Sequence, residues 1–263
     1  MRYLRLVLAF IRISLQEDMA YRTNFFISVL STLLNLGTGI AGIAVLFGQI
    51  KTLHGWNFPA TLVLLGVYLL VGAVRRLVIG PSFDALAGLE GELWLGRFDF
   101  TLLRPVNTQF LISLRHWQLF SVVDILLGLG TLITGCILLG ERVTLTNLLA
   151  FLVTLIVGLL ILYALLLLLT GLLFWSPGFL FTWIFDALFQ IARYPLDFYP
   201  DWVRTILTWI VPIGIITTVP AQALTGALSP PLFVGGLLLA GVLLAVASLV
   251  FWHGLRRYAS ASS

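Results

Sequence analysis

Two acidic residues, Asp124 and Asp186, lie inside long apolar stretches of the sequence. A carboxylate at membrane depth is costly unless it is paired or hydrated, so both should face protein or a wet cavity. Such a pair could carry protons or a substrate, or it could join two helices through a polar contact, and both interpretations stay open. Gln190 and Arg193 follow Asp186 on the same helical face, which favours a polar stripe over a lone titrating group.

Other residue types that do chemistry lack the required spacing. The histidines His54, His116 and His253 are far apart, and no H-E-x-x-H or G-x-S-x-G motif occurs. The only lysine, Lys51, follows isoleucine in GQIKT, whereas a phosphate-binding loop needs Gly-Lys followed by Ser or Thr. The sequence therefore predicts no catalytic residue, metal or cofactor on this chain, and any ATP would be bound by a partner.

A third polar group occupies residues 191–204, IARYPLDFYPDWVR, with four aromatic residues and two prolines. Tyr and Trp favour the membrane–water boundary, where the ring is in the acyl region and the polar tip is wet. This segment is either an aromatic belt with a rigid turn or an outer gate for an amphipathic substrate. The residues assigned to the outer gate are Arg193, Tyr194, Pro195, Asp197, Tyr199, Pro200, Pro212 and Pro220.

The composition requires a membrane to position these residues. Of the 263 residues, 60% are hydrophobic and 10% are charged, against about 25% charged in a soluble domain. A soluble fold of this length could not bury so much apolar surface. The single cysteine, Cys136, excludes an intrachain disulfide. The sequence thus predicts an all-α integral membrane protein with one transmembrane domain.

Charge-free intervals and proline breaks predict six spans of about 20 residues, the length that crosses a bilayer. The segment 205–225 is also apolar but contains Pro212, Gly214 and Pro220. Because proline in a helix interior removes a hydrogen bond, we expect two short re-entrant helices there, before helix 6, rather than a seventh span. The six predicted spans are 24–49, 59–80, 112–139, 146–174, 178–193 and 232–253.

Residues 1–22 have the pattern of an amphipathic helix that lies along the membrane surface. Leu4, Leu8 and Leu15 fall on one face, while Arg5 and Arg12 fall on another. The rest of the chain divides into helices 1–2 (24–80), a connector (81–111), helices 3–5 (112–193), the outer turn with the re-entrant helices (194–231), and helix 6 with its tail (232–263).

The distribution of arginine and lysine predicts the orientation. If both termini lie on one side, that side carries eleven of these residues and the other side carries four. Positive residues concentrate on the cytoplasmic side of membrane proteins. Both termini and the connector 81–111 are therefore expected in the cytoplasm.

The connector contains the charged stretch ELWLGRFDFTLLRPVNTQ, residues 92–109. Leu86, Leu89 and Leu93 repeat at helical spacing, which predicts a short amphipathic element. Exposed charges of both signs suit the docking of another protein, although an ordinary charged loop fits the same residues. As an exposed charge, Glu92 should contribute less than about 1 kcal/mol to folding.

The spacing of Glu92, Gly96, Asp99, Leu102 and Pro105 resembles the cytoplasmic signature E-x-x-x-G-x-x-[DE]-x-x-L-x-x-P of ABC-2 type transporter permeases. The order of elements along the whole chain resembles the same architecture. The stretches RYPLDFYPDW and VPIGIITTVPAQALTG also resemble a bacterial permease subgroup described as viologen- or daunorubicin-exporter-like.

This resemblance implies a multi-pass permease subunit in the bacterial inner membrane. It would export an amphipathic, lipid-like or drug-like substrate, with ATP and magnesium on separate ABC ATPase subunits. It also implies a second permease copy, identical or paralogous, with membrane lipids and no nucleic acid as neighbours. The residues that would dock the ATPase are Glu92, Gly96, Arg97, Asp99, Leu102, Arg104 and Pro105.

Two other functions stay open at this point. The chain could be a proton-coupled secondary transporter that uses Asp124 and Asp186. It could also be a membrane scaffold that anchors a partner without transporting anything.

Overall fold

The computed structural model describes residues 2–20, 22–140, 143–177 and 181–258. Within these ranges the chain is helical, with one isolated bridge between Leu53 and Trp56 in place of any strand. Two π-helical turns, Arg75–Ile79 and Ile206–Ile210, continue the helices before them. The helices are α1 (Arg2–Ala20), α2 (Arg22–Gln49), α3 (Phe58–Val74), α4 (Gly80–Asp84), α5 (Asp99–Leu102), α6 (Thr108–Leu114), α7 (Val122–Leu139), α8 (Leu145–Leu172), α9 (Phe181–Phe189), α10 (Asp201–Thr205), α11 (Ile213–Thr225) and α12 (Pro230–Arg257).

The all-α membrane class is confirmed by the length and apolarity of these helices. Five stretches of the described chain could each cross a membrane. A sixth candidate is the pair Asp201–Ile210 and Ile213–Thr225, which is bent by 99° at its break. The five stretches are Phe25–Gln49, Phe58–Asp84, Leu119–Leu139, Leu145–Leu172 and Pro230–Arg257.

The predicted fifth span, 178–193, is shorter in the structure. Its first residues, 178–180, lie outside the described chain, and the remainder is α9 followed by a 3-10 turn at Gln190–Arg193. Nine residues of α-helix rise about 14 Å, roughly half of a hydrocarbon core of about 30 Å. The described α9 is too short to cross the membrane alone, yet the chain passes from Phe174, beside Phe98 at the connector end, to Asp197, beside Trp56 at the opposite end. The bent pair begins and ends near Asp197, since both Arg204 and Gln222 contact this carboxylate.

The predicted third span, 112–139, begins later than expected. Helix α6 ends at Leu114, and helical structure resumes only at the 3-10 turn Leu119–Ser121 that leads into α7. The backbone N–H of Gln118 instead donates to the carbonyl of Leu77, at 3.0 Å. Residues 115–118 therefore form a junction between the connector and the bundle.

The segment 205–225 forms two helical pieces, as predicted, but only one of its prolines breaks it. Pro212 lies at the bend, whereas Pro220 lies inside α11. Pro220 has no N–H to give the carbonyl of Ile216, one turn earlier. Gly158 of α8 packs against this carbonyl, since a Cβ added at Gly158 would lie 2.9 Å from the Ile216 oxygen. Close packing against a residue with no side chain thus accommodates Pro220 within the core.

Helices α3 and α7 form a closely packed pair because glycines face the other backbone. A Cβ added at Gly66 would lie 2.6 Å from the Cα of Leu132, and one at Gly135 would lie 2.8 Å from the amide nitrogen of Val63. Small residues allow such close approach in membrane bundles. Since the connector leaves from the end of α3–α4 and returns into α7, this pair fixes both of its ends.

The N-terminal helix, the connector and the end of α12 lie at the same end of the bundle. The ring of Tyr3 is 4.7 Å from that of Phe110, and the ring of Tyr258 is 5.4 Å from that of Phe98. On α1, Phe10 is buried while Leu4 and Leu8 are exposed. This arrangement gives α1 a free apolar face at the end where the connector lies.

Candidate coupling and intramembrane polar sites

Glu92 lies inside the connector rather than on its surface. Its carboxylate accepts a hydrogen bond from Nη2 of Arg115, and the two side chains are 16% and 15% exposed. Nη1 of Arg115 also donates to Oγ1 of Thr101, at 3.0 Å. Thr101 is itself buried. This group ties the first turns of the connector to the junction before α7, so Glu92 is not the exposed charge that the sequence suggested.

His116 continues the junction from Arg115 toward α4. Its Nε2 accepts a hydrogen bond from Nε of Arg115 at 3.0 Å, while its backbone N–H donates to Oγ of Ser82 at 2.8 Å. Burial, followed by the neighbouring Arg115 charge, lowers the pKa of His116 to about 4. The imidazole is therefore neutral at physiological pH and can accept this bond.

Two side chains of helix α1 accept hydrogen bonds from backbone N–H groups of the same junction. Oγ of Ser14 accepts from the N–H of Trp117 at 3.1 Å, and Oδ2 of Asp18 accepts from the N–H of Leu119 at 2.8 Å. These bonds satisfy amides at a break between helices, where no helical partner exists. A displacement of the connector would therefore also be transmitted to α1.

Part of the exposed surface of the connector is apolar. We call Trp94, Leu95, Phe100 and Leu103 the connector face; the last two are 69% and 80% exposed. Phe98, by contrast, is fully buried and anchors the turn beneath them. A cluster of large exposed apolar side chains marks a surface that binds a partner or a membrane.

The other predicted docking residues lie in and around this face. Gly96 has φ +69°, a conformation that favours glycine and turns the chain before α5. Arg97 donates to the carbonyl of Glu90 at 3.2 Å. Asp99 begins α5 beside Tyr258, and burial followed by this carboxylate raises the pKa of the Tyr258 hydroxyl. The exposed residues Leu102, Arg104 and Pro105 complete the set.

The amphipathic helix expected around Leu86, Leu89 and Leu93 is replaced by turns. Gly88 has φ +80°, and a Cβ at Gly91 would lie 2.5 Å from the carbonyl of Ala87. Both glycines suit a folded turn rather than a helix. Leu86 and Leu93 are nevertheless buried, so the apolar repeat does indicate which residues anchor the connector.

Each acid within the bundle has an arginine partner. Asp124 is 2% exposed and accepts from Nε of Arg76 at 3.0 Å and from Oγ1 of Thr32 at 2.6 Å. Asp186 pairs with Nη1 of Arg75 at 2.9 Å. Because Arg75 and Arg76 are consecutive in the π-helical turn after α3, one point on this helix is joined to both α7 and α9.

The predicted outer-gate residues fall into two groups. Arg193 and Tyr194 pack against the middle of α2: Nη2 of Arg193 donates to Oγ1 of Thr38 at 2.9 Å, and a Cβ at Gly42 would lie 2.7 Å from the Tyr194 hydroxyl. These contacts go to α2 and not to the rest of the aromatic turn around Asp197. They lie instead near the Arg75–Asp186 pair, around a cavity that Gln190 also lines.

The second group surrounds Asp197 at the other end of the bundle. Asp197 accepts from Nε1 of Trp56 at 2.7 Å and from Nε2 of Gln222 at 3.3 Å. Pro195 precedes the 3-10 turn Leu196–Phe198, which contains Asp197, and Pro200 precedes α10. The Tyr199 hydroxyl donates to the carbonyl of Ile191 at 3.5 Å. These contacts hold the aromatic turn against the loop before α3.

Several residues of these sites were missed in the sequence. Arg75 and Arg76 looked like the cytoplasmic flank of a span, and Arg115 looked like the start of the next one. The pairing of Arg75 and Arg76 could have been predicted, because the sequence has two adjacent arginines near a span end and two intramembrane acids that each need a partner. Nothing in the sequence linked Arg115 to Glu92, because the pairing depends on the fold of the connector.

Comparison with known proteins gives one match. A family model described as "ABC-2 family transporter protein" matches residues 33–262, most of the chain. The matched region includes the connector, both arginine–aspartate pairs and the aromatic turn. No curated protein and no solved structure matches.

Proposed function

This chain belongs to the ABC-2 transporter family, and we propose that it is the permease of an exporter whose ATP is hydrolysed by separate ABC ATPase subunits. The observation that carries this proposal is the connector face, an exposed apolar surface on a connector that is locked internally. A charged loop without a partner would not need Phe100 and Leu103 exposed together. An outward transport direction and an amphipathic substrate are parts of the same proposal.

The contacts of the connector suggest how it would transmit force. Closure of two ATPase subunits on nucleotide would move the connector face. The Glu92–Arg115 pair would carry this movement to the junction 115–118 and then into α7. Since α7 is packed against α3 without intervening side chains at Gly66 and Gly135, the two helices would move together.

The structure gives less support to a proton-coupled carrier. Such a carrier needs a carboxylate that changes its protonation during the cycle. Asp124 and Asp186 each have an arginine nitrogen within 3.0 Å, so protonation of either carboxylate would break a contact between helices. The two pairs act as polar contacts between helices in this conformation.

We propose that the connector end of the bundle is cytoplasmic. The clustering of α1, the connector and the end of α12 at one end supports this orientation, as does the arginine and lysine bias. In a Cys136→Ser background, a cysteine at Asn107 should react with a membrane-impermeant maleimide only after cells are opened. A cysteine at Lys51 should react in intact cells. The reverse labelling pattern would contradict the orientation.

The function is tested by reconstitution with an ABC ATPase. We expect the two chains to purify as a complex that also contains a second permease copy. In lipid vesicles, this complex should move an amphipathic dye only with ATP and magnesium. An ATPase whose P-loop lysine is replaced by alanine is the control.

Two outcomes of the reconstitution would contradict the proposed function. A stable complex without any ATP-dependent movement of amphipathic probes would support the scaffold. Movement driven by a pH gradient in the absence of the ATPase would support the carrier.

A further inference from the structure

A polar cavity of about 480 Å³ lies between α2, α3 and α9. It opens beside the two arginine–aspartate pairs and is separate from the connector and from the aromatic turn at Asp197. Cavities of this size hold small ligands or the polar portion of larger ones. The residues that give it its chemistry are Asn35, Tyr68, Arg75, Arg76, Asp186 and Arg193.

The cavity has an excess of positive charge. Three arginines line it, against one lining carboxylate, Asp186, which pairs with Arg75. Arg76 pairs with Asp124, which lies behind the wall. Arg193 has no ion-pair partner among the described residues, and its hydrogen bonds go to the Asn35 carbonyl and the Thr38 hydroxyl. Arg193 is therefore the one cavity-lining arginine with no carboxylate within ion-pair distance among the described residues.

Two nitrogens of the site also lack hydrogen bonds. In the described chain, Nε of Arg75 and Nε of Arg193 are buried without an acceptor. An unsatisfied buried donor is costly, and more so when it carries charge. A guanidinium presents several N–H groups in a planar fork that matches the oxygens of a phosphate or carboxylate. An oxyanion bound by Arg75 and Arg193 would supply acceptors for guanidinium groups that the described chain leaves incompletely paired.

An apolar groove continues from this cavity along α2. Asn35 lines both the cavity and a second depression that is lined by Ile27, Leu30 and Leu34. These three side chains are 59–63% exposed. An oxyanion in the cavity could therefore be covalently joined to an apolar chain that lies on α2.

We propose that the cavity binds the oxyanion headgroup of an amphipathic molecule, with its apolar chain along Ile27, Leu30 and Leu34. This rests on the proposed function in one respect, since it takes this anionic amphiphile to be the transported class of substrate. Binding itself requires neither the ATPase nor transport.

The test uses dodecyl phosphate and the full chain in phosphatidylcholine nanodiscs, without the ATPase. We expect saturable binding that Arg193→Gln weakens by about tenfold or more, because a charge-assisted contact is lost. Asp186→Asn should tighten binding, because it frees Arg75 and removes a competing carboxylate. Arg12→Gln removes an equal charge from the exposed face of α1 and should leave the affinity unchanged.

Each of three outcomes would overturn the site or the placement of the apolar chain. They are equal affinities in Arg193→Gln and the unaltered chain, equally tight binding of dodecyltrimethylammonium, and equally tight binding of inorganic phosphate. The third outcome would remove the apolar chain from the proposal. The opposite signs expected for Arg193→Gln and Asp186→Asn separate binding from a folding defect, since misfolding would weaken binding in both.

The transport assay distinguishes this site from the proposed function. If dodecyl phosphate binds as expected, it should also stimulate ATP hydrolysis by the complex, and Arg193→Gln should abolish the stimulation. Normal binding without stimulation would contradict its role as a substrate while leaving the binding site in place.

Discussion

Replacing Arg115 with alanine is expected to lower the free energy of unfolding by about 3–5 kcal/mol, because Glu92 would remain buried without its partner. Both side chains are about five-sixths buried, and Arg115 also holds Thr101 and His116. The measurement is chemical unfolding of the purified chain in detergent, followed by tryptophan fluorescence. ATPase association should fall with it, since the connector would no longer be fixed to α7.

A double replacement separates the charge effect from packing. Glu92→Leu together with Arg115→Leu removes both charges, and we expect it to recover most of the lost stability, as buried pairs can often be replaced by apolar residues. If Arg115→Ala instead costs less than about 1 kcal/mol, the pair behaves as a surface salt bridge. The connector would then be held by Leu86, Leu93 and Phe98 alone.

The sequence predicted the long apolar helices well, because their signal is local. Helices α2, α8 and α12 begin and end within a few residues of the predicted spans 24–49, 146–174 and 232–253. Charges and prolines that bound an apolar run act on that run alone. The same reasoning was wrong for Pro220, which stays inside a helix, and for 178–193 it predicted more helix than the nine residues of α9.

The polar contacts could not be predicted because they join residues far apart in the chain. Arg75 and Asp186 are 111 positions apart, and Arg76 and Asp124 are 48 apart. Counting arginines treated Arg75, Arg76 and Arg193 as exposed flanks of spans, yet all three face the cavity. Without these three arginines, the predicted cytoplasmic side holds nine positive residues and the opposite side holds three. The charge bias therefore still predicts the same orientation.

The connector shows the same division between local and distant information. The spacing of Gly96, Leu102 and Pro105 predicted a turn and a helix end, and the chain does turn at Gly96 and end α5 at Leu102, because both features depend on neighbouring residues. Which side chains point outward depends on packing against distant residues, such as that of Phe98 against Phe174 and Tyr258, which follow α8 and α12. The charges Glu92 and Asp99 were expected on the surface, yet Glu92 faces inward, and the exposed surface carries large apolar side chains beside Arg97 and Arg104.

The largest effect on partner binding is expected from the double variant Phe100→Glu and Leu103→Glu. Large apolar side chains at the centre of an interface often contribute about 2 kcal/mol or more each, so ATPase affinity should fall by at least about 100-fold. Both side chains are mostly exposed in the isolated permease. The free energy of unfolding should therefore change by only about 0.5 kcal/mol. Affinity is measured with purified ATPase and permease in nanodiscs.

The control for this variant is Asn107→Ala, an exposed position at the start of α6 and outside the connector face. It should bind the ATPase normally. A double variant that binds the ATPase normally would contradict docking at the connector face. If ATPase affinity is kept but the connector loses its contact with the bilayer surface, then Phe100 and Leu103 contact lipid. The ATPase would in that case have to engage another surface, since two glutamates in the middle of an apolar interface could not be buried without partners.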